Sequence, residues 1–355
     1  MARSVVGLDI GSAAVSGTEV RLGGGAAGRG SRVRRSGSVA LPPGAVEAGL
    51  VRDRAAVVSA LRQLWAEQHF GTRQVRLGVG SASVLVRQLD LDWMPDDDLR
   101  RSLRFQVADL LPVPVDDANI DHVPLGEAQG VDDQGAPRRL SRILLVATAR
   151  EAVDGLVRAV EAAKLVPLTA DLSAFAAVRA VAGTPVTPDG PSGPDGPSGS
   201  GVPEAVVDVG AQTVSVAVHV DGRPWFVRVA SGLGGEMLTR VLMEQTGRSR
   251  DEAEALKRTP GTLPEVGRSA RSLEESVLLE GVGRLLAEVR TTLDFHSGHD
   301  PATAPRRVVL TGGGSLLPGL VEHGRAAWGL PVRLHDDAAS PAGAVALGLG
   351  LEGAA

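Results

Sequence analysis

The sequence predicts an α/β chain of two lobes facing each other across a cleft, on three observations. A strand–turn–strand stretch occurs twice: Val5 to Val20, VVGLDIGSAAVSGTEV, returns as Ala205 to Val220, AVVDVGAQTVSVAVHV, with Asp9 falling on Asp208, Gly11 on Gly210, Val15 on Val214 and Ser16 on Ser215. A Pro/Gly/Ser tract stands directly ahead of the second copy, as expected if each copy begins its own lobe. A further glycine-rich turn, Thr311-Gly312-Gly313-Gly314-Ser315, follows a buried strand near the end of the chain. At 355 residues the chain also exceeds the size that one core usually serves.

Each copy reads as a buried apolar strand, an Asp-x-Gly turn and a second strand. Glycine in such a turn lets backbone N–H groups approach a phosphate, and successive N–H groups form an anion-binding nest. An Asp at the strand end repels phosphate but can hold a hydrated Mg²⁺ that bridges phosphates. Two copies face to face would clamp a nucleoside triphosphate. A single Asp-x-Gly turn is an ordinary hairpin; the duplication and the third glycine loop carry the reading.

Composition narrows the classes. Apolar residues make up 43% of the chain and aromatics only 3%, so the cores are aliphatic. A net charge of −5 argues against a general nucleic-acid binder. There is no cysteine, which removes disulfides, thiol catalysis and Cys-based zinc sites. His296 and His299 form no recognisable metal spacing, and the basic residues are nearly all Arg, Lys164 and Lys257 being the lysines. No run of about 18 apolar residues exists, so the expectation is a cytoplasmic protein without membrane insertion.

The elements follow in order. Residues 1–82 are expected to form most of the first lobe: the first copy, a loose Gly/Arg-rich loop from Gly23 to Gly37, Val39 to Leu41, a helix with Val57, Val58, Leu61, Leu64 and Trp65 at helical spacing, and a strand from Val75 to Val79. Residues 83–167 read as an inserted α+β domain. Its strand Val84 to Leu91 leads to Asp96-Asp97-Asp98 at the positive end of a helix, whose stripe is Leu99, Leu103, Val107, Leu110 and Leu111 and whose stop is Pro112. Arg100, Arg101 and Arg104 on the polar face are either a solvated surface or a docking surface for an acidic peptide. Beyond the polar loop Gly126 to Arg139 comes the strand Ile143 to Ala147. Thr148-x-x-Glu151 then reads as a capping box ahead of a helix with Val153, Leu156, Val157 and Val160 inward.

Residues 168–181 return to the first lobe as a strand end and an Ala-rich helix, and 182–201 read as a flexible Pro/Gly/Ser linker. The second lobe, 202–340, begins with the second copy, the Asp221-Gly222 hairpin turn and the strand Trp225 to Ala230. Gly234-Gly235-Glu236 opens a helix; free N–H groups there suit a phosphate, and a tight strand-to-helix turn suits them equally. Ser249-x-x-Glu252 and Ser272-x-x-Glu275 cap two further helices. The three glycines from Gly312 clear a surface on which adenine or ribose could lie. Residues 341–355 read as a small-residue helix packing back on the first lobe.

This ordered set resembles the actin, sugar-kinase and heat-shock-chaperone superfamily of ATP-binding proteins, and within it the type IV pilus assembly protein PilM family. VVGLDIGSAAVSGTEV is similar to that family's first phosphate motif, LRRSLRFQVADLLPVPVDDANID to its inserted-domain signature, AVVDVGAQTVSVAVHVDGRPWFVRVASGLGGEMLTRVL to its second phosphate motif and VVLTGGGSLLPGL to its adenosine motif. The resemblance implies a two-lobed actin-like ATPase fold of duplicated ribonuclease H-like lobes, with ATP and Mg²⁺ in the cleft. Asp9 and Asp208 would position the Mg²⁺; Gly11, Ser12, Gly210, Gln212 and Thr213 would hold phosphates; Gly234, Gly235 and Glu236, with Gly312, Gly313, Gly314 and Ser315, would take ribose and adenine. Asp171 falls where the superfamily has a residue near the attacking water, and equally reads as an N-cap for the next helix.

In one position the chain departs from the family: Ser16 stands where a Lys is usual near the phosphates. The resemblance therefore implies ATP binding with weak or absent hydrolysis. It also implies a scaffold at the inner face of the cytoplasmic membrane, docking the N-terminal cytoplasmic tail of a PilN-type inner-membrane protein near Arg87, Arg104 and Phe105, alongside other pilus assembly proteins. An FtsA-like division protein and a small-molecule kinase of the same superfamily are the alternatives.

Overall fold

The computed structural model describes residues 4–22, 31–111, 113–131, 136–183, 201–336 and 340–351. Residues 184–200 of the expected linker, 23–30 of the expected first hairpin loop and the expected helix stop at Pro112 lie outside the described residues.

The first copy folds as the antiparallel pair β1 (Ser4–Ile10) and β2 (Ala14–Arg21), extended by β3 (Arg32–Ala40). A short hairpin, β4 (Val46–Glu47) and β5 (Leu50–Val51), leads to α1 (Arg54–Gln68) and then to β6 (Gln74–Val79), parallel to β1. The Asp53 carboxylate caps α1 by accepting from the Ala56 N–H.

The chain then leaves this sheet for β7 (Leu85–Asp92), α2 (Asp96–Gln106), β8 (Ala118–Val131) and β9 (Pro137–Ala149), an antiparallel sheet in the order β7-β9-β8. Leu99, Leu103 and Val107 pack α2 onto Ile143 and Leu145. The helix is shorter than its stripe implied: it ends at Gln106, and a 3₁₀ turn carries Ala108–Leu110.

The inserted segment also stops earlier than 167. α3 (Arg150–Ala162) buries Leu156, Ala159 and Val160 in the same core as Val6, Leu8, Leu61 and Leu64, so it belongs to the first lobe. Its cap differs too. The N-cap is Ala149 without a side-chain bond, while the Thr148 hydroxyl faces Ser83 Oγ at 3.3 Å. β10 (Val166–Leu172) then joins β6, completing the order β10-β6-β1-β2-β3, and runs into α4 (Ser173–Gly183).

The second lobe repeats this plan with β11 (Glu204–Val209), β12 (Thr213–Val220) and β13 (Arg223–Ser231), then α5 (Gly235–Thr246), α6 (Arg250–Arg258), α7 (Leu273–His299), β14 (Arg307–Thr311), α8 (Leu320–Trp328) and β15 (Val332–Leu334). Its sheet order, β13-β12-β11-β14-β15, matches the first read from β3 to β10. Asp221 and Gly222, at φ 51° and 80°, form the two-residue hairpin turn. Ser249 and Glu252 make the reciprocal capping box, and Ser272 accepts from the Glu275 N–H.

α9 (Ala344–Gly350) crosses back to the first lobe. A Cβ on Gly348 would stand 1.7 Å from the Ala176 carbonyl oxygen of α4, and one on Gly7 would stand 2.0 Å from the Ala346 carbonyl oxygen. Backbone meets backbone on both sides of α9, which only glycine permits. A core of Phe175, Ala176, Val206, Val227, Val309 and Leu144 joins both lobes to the inserted sheet.

Candidate nucleotide cleft

The two Asp-x-Gly turns close alike. Gly11 N–H donates to Ala14 O at 3.0 Å and Gly210 N–H to Thr213 O at 2.9 Å. Asp9 stands opposite Ser16, and Asp208 opposite Ser215. The two carboxylates lie close enough across the lobes for the Asp208 charge to act on Asp9. Burial, and then the Asp208 charge, push Asp9 up to about 7. Burial also raises Asp208, offset in part by the Thr311 hydroxyl, which donates to its Oδ1 at 2.9 Å. Two carboxylates that burial discourages from ionising are a fit for a hard divalent cation, whose charge would favour both anions. No cluster of three or more His, Asp or Glu forms among the described residues, so phosphate oxygens and water would complete the shell.

The second turn is braced from behind. Gly235 N–H donates to Gly210 O at 2.9 Å and Glu236 N–H to Ala211 O at 2.8 Å. The N–H groups expected to be free for phosphate at the start of α5 are therefore committed to holding the turn. A Cβ on Gly234 would lie 2.3 Å from Ala211 O; one on Gly312, at φ 83°, would lie 2.5 Å from Val209 O. Glu236 is also engaged, pairing through both oxygens with Arg250. Ser315 spends its hydroxyl on Gly312 O at 2.6 Å, and Gly314 sits against Val209. Gly313 has open space where a side chain would be, leaving one flat face for a ring.

Lys257, which sequence reasoning did not single out, reaches this end of the cleft from α6. Its ammonium donates to Gly235 O at 2.8 Å and Thr239 Oγ1 at 2.5 Å, and it pairs with Glu254 at 2.9 Å. A Cβ on Gly235 would lie 3.8 Å from that ammonium and 3.9 Å from Gly314 Cα, so cation, helix start and glycine loop converge. The available signal was its residue type, a lysine in a chain whose cations are almost all Arg.

Gln212 joins the halves. Its Oε1 accepts from Ser12 Oγ at 3.1 Å and from Ala48 N–H at 2.9 Å, both in the first lobe. Ala48 holds a left-handed conformation at φ 49°, and its carbonyl accepts from Ala82 N–H at 3.1 Å. From Ser81 the contacts run to Ser83 Oγ at 2.8 Å and on to Thr148 of β9.

Asp171 is placed differently from the water-holding role. Its Oδ2 pairs with Arg179, its Oδ1 accepts from Leu172 N–H at 2.7 Å, and Arg179 Nε donates to Gly348 O at 3.0 Å. This carboxylate fastens α4 to α9. Ser173 lines the cleft with its neighbours Leu172 and Ala174, beside Asp208, Thr213 and Ser215. Its Oγ is buried without a partner among the described residues, and a Cβ on Gly78 would meet both it (2.9 Å) and Asp9 Oδ1 (3.3 Å). On the inserted sheet, Phe105 is 85% exposed on α2, Arg104 is tied to Val115 O and Asp116, and exposed Arg87 lies on β7.

Comparison with known proteins bears on this arrangement. Residues 7–340 match the family described as Type IV pilus assembly protein PilM. The structure is similar to that of a PilM-PilN type IV pilus biogenesis complex, with a TM-score of 0.78 and 23% identity over 98% of this chain and 97% of that one. It is also similar to the ethanolamine utilization protein EutJ from Carboxydothermus hydrogenoformans (TM-score 0.59, 18% identity, 99% and 90% of the chains). A third likeness is to MreB5 of Spiroplasma citri bound to AMPPNP (TM-score 0.53, 14% identity, 98% and 94%). Among curated proteins, the cell division protein FtsA of Agrobacterium fabrum is 31% identical over 141 residues; the match spans 34% of this chain and about a third of that protein (31%).

Proposed function

This chain belongs to the type IV pilus assembly protein PilM family, an actin-like scaffold of two lobes, and on that footing we propose that it binds ATP with Mg²⁺ between the lobes and docks the N-terminal cytoplasmic tail of a PilN-type inner-membrane protein. The observation that carries the nucleotide reading is the pair Asp9 and Asp208, each at the mouth of an equivalent turn. A bound Mg²⁺ would neutralise phosphate charge there. Gly11 and Gly210 keep their turns open to the phosphates; Thr213 and Ser12 offer hydroxyls. Gly313 leaves room for the base, and Lys257 fixes the edge on which the ribose would rest.

Hydrolysis finds little support among these side chains. In-line attack needs a positioned water and stabilised charge. Asp171 is held by Arg179, Ser173 is too weak a base to take a proton, and Ser16 supplies no cation. The protein is therefore a nucleotide-dependent scaffold in this reading rather than a working ATPase. Titration calorimetry with Mg-ATP, beside a steady-state phosphate-release assay, tests both halves: binding abolished by Asp208→Asn and no turnover are expected. Absence of binding in the unaltered protein would overturn the reading.

Gln212 gives the nucleotide a route to the partner. Phosphates entering between the turns must rearrange its bonds to Ser12 and Ala48, and Ala48 leads through residues 81–83 to the inserted sheet that carries Arg87, Arg104 and Phe105. Tail affinity should differ with and without Mg-ATP, a coupling between two sites; equal affinities would remove it. No helix among the described residues is long and apolar enough to cross a membrane, so attachment to the inner face through the partner is part of the proposal. The local FtsA match favours a division role as the second reading, which binding to a division-protein partner instead of a pilus tail would support.

A further inference from the structure

At the end of the first sheet away from the Asp9 turn, the chain gathers cations that the nucleotide reading leaves unused. Arg21 ends β2; Arg32, Arg34 and Arg35 open β3; Arg73 stands just ahead of β6 and Lys164 just ahead of β10, all of them exposed. The order β10-β6-β1-β2-β3 spreads them across five strands, about 19 Å at the usual spacing.

Arg21 and Arg32 stand directly opposite each other in the β2–β3 ladder. Like charges so placed weaken the pair, and neither has an ion-pair partner among the described residues. The buried acid nearby, Glu19, is shared by Arg34 at 3.8 Å and Arg35 at 3.9 Å. Among the described residues, Glu67 and Glu161, near the ends of α1 and α3, are the exposed acids at this end. Protection of an edge strand explains charges on β3. It does not explain Arg21, at the end of interior strand β2, or Arg73, just ahead of interior strand β6. Val166, 51% exposed beside Lys164, adds an apolar contact.

We propose that this end of the first lobe docks directly on an anionic lipid surface. A chain of net charge −5 is repelled by such a surface on average, so a local cluster of cations also orients it. The cations are spread over a broad end with an exposed valine among them, which suits many separate headgroups better than one peptide in a groove. Long arginine stems reach headgroup phosphates with paired N–H groups, and an anion between Arg21 and Arg32 relieves their repulsion. Docked this way, the Asp9 turn and the cleft face away from the lipid. The inference stands independently of the nucleotide reading.

The test is co-sedimentation of the full chain, without partners, on vesicles of phosphatidylcholine with and without about one third phosphatidylglycerol. Binding should be confined to the anionic vesicles and lost at about 0.5 M salt, where screening reaches within a few ångströms. Arg32→Glu combined with Arg73→Glu should weaken it at least about tenfold, since each basic residue contributes roughly equally. Because Glu at 32 would pair with Arg21, this variant should unfold no earlier than the parent, which separates lost docking from lost fold. Equal binding to both vesicle types, no binding at low salt, or full binding by the variant would each overturn the proposal. So would stoichiometric displacement from vesicles by soluble polyglutamate at matched ionic strength, which would assign the surface to an acidic protein.

Discussion

The two Asp-x-Gly turns share a register and a closing hydrogen bond, yet their surroundings differ. The second is clamped by two N–H groups of α5, by Gly234 and Gly312 packed against its backbone, and by the Thr311 hydroxyl on Asp208. The first has room: a Cβ on Gly11 would meet Ala14 O at an ordinary 3.4 Å. Its contact across the cleft comes from Gln212 of the other lobe. The second turn is therefore the more heavily braced of the two, while the first is held within its lobe by the Leu41 N–H on Ala13 O at 2.8 Å and across the cleft by Gln212.

The largest effect that could break this comparison comes from the glycines. Gly234→Ala drives a methyl into the second turn and should cost about 1–3 kcal/mol, read by denaturant unfolding. Gly11→Ala should stay within about 0.5 kcal/mol. Similar losses from both would mean the turns are equally braced. Comparable in size is Lys257→Ala, which strips Thr239 and Glu254 of their charged partner; a loss of about 1.5–3 kcal/mol is expected, with weaker nucleotide binding by calorimetry.

Both turns respond to pH, since burial raises both carboxyls; Asp9 is the one to follow. Its carboxyl moves from 3.8 to about 7 on folding, so the folded chain holds the proton more tightly than the unfolded one. The Asp9 contribution to metal-free stability should therefore fall as pH rises from about 4 to 7, by at most about 1.4 kcal/mol per unit, with the raised Asp208 carboxyl adding to the slope. Asp9→Asn should reduce that slope, while Mg²⁺ affinity in the parent should climb through the same window. An unchanged slope in the variant would place the proton elsewhere. A modest effect belongs to Gln212→Ala, about 1 kcal/mol in stability, but it should erase the influence of Mg-ATP on tail binding.

Much of this was legible because it is local. Strand, turn and register in both copies follow from alternating apolar residues, from glycine and from Asp221-Gly222. What the sequence could not show is what each buried face meets. The stripe of Leu156 and Val160 says that α3 has an inner face, but that face meets Leu61 and Leu64 of α1 instead of the inserted sheet. Asp171 and Ser173 are two residues apart, and the start of α4 turns one toward Arg179 and the other toward the cleft. The contacts of Gln212 span 200 positions to Ser12 and 164 to Ala48, beyond any periodicity.

The seat of α9 has a consequence for how the molecule is made. Ala346, Gly348 and Gly350 fill gaps left by Gly7 and Ala176, so the first lobe emerges from the ribosome before the segment that completes its core. Until residue 350 is free, that lobe carries a groove shaped for a helix not yet synthesised, whereas one core of the second lobe draws only on residues 205–334. Such late, distant closure is slow and leaves an aggregation-prone intermediate. Chains stalled short of α9 should be the ones that chaperones hold.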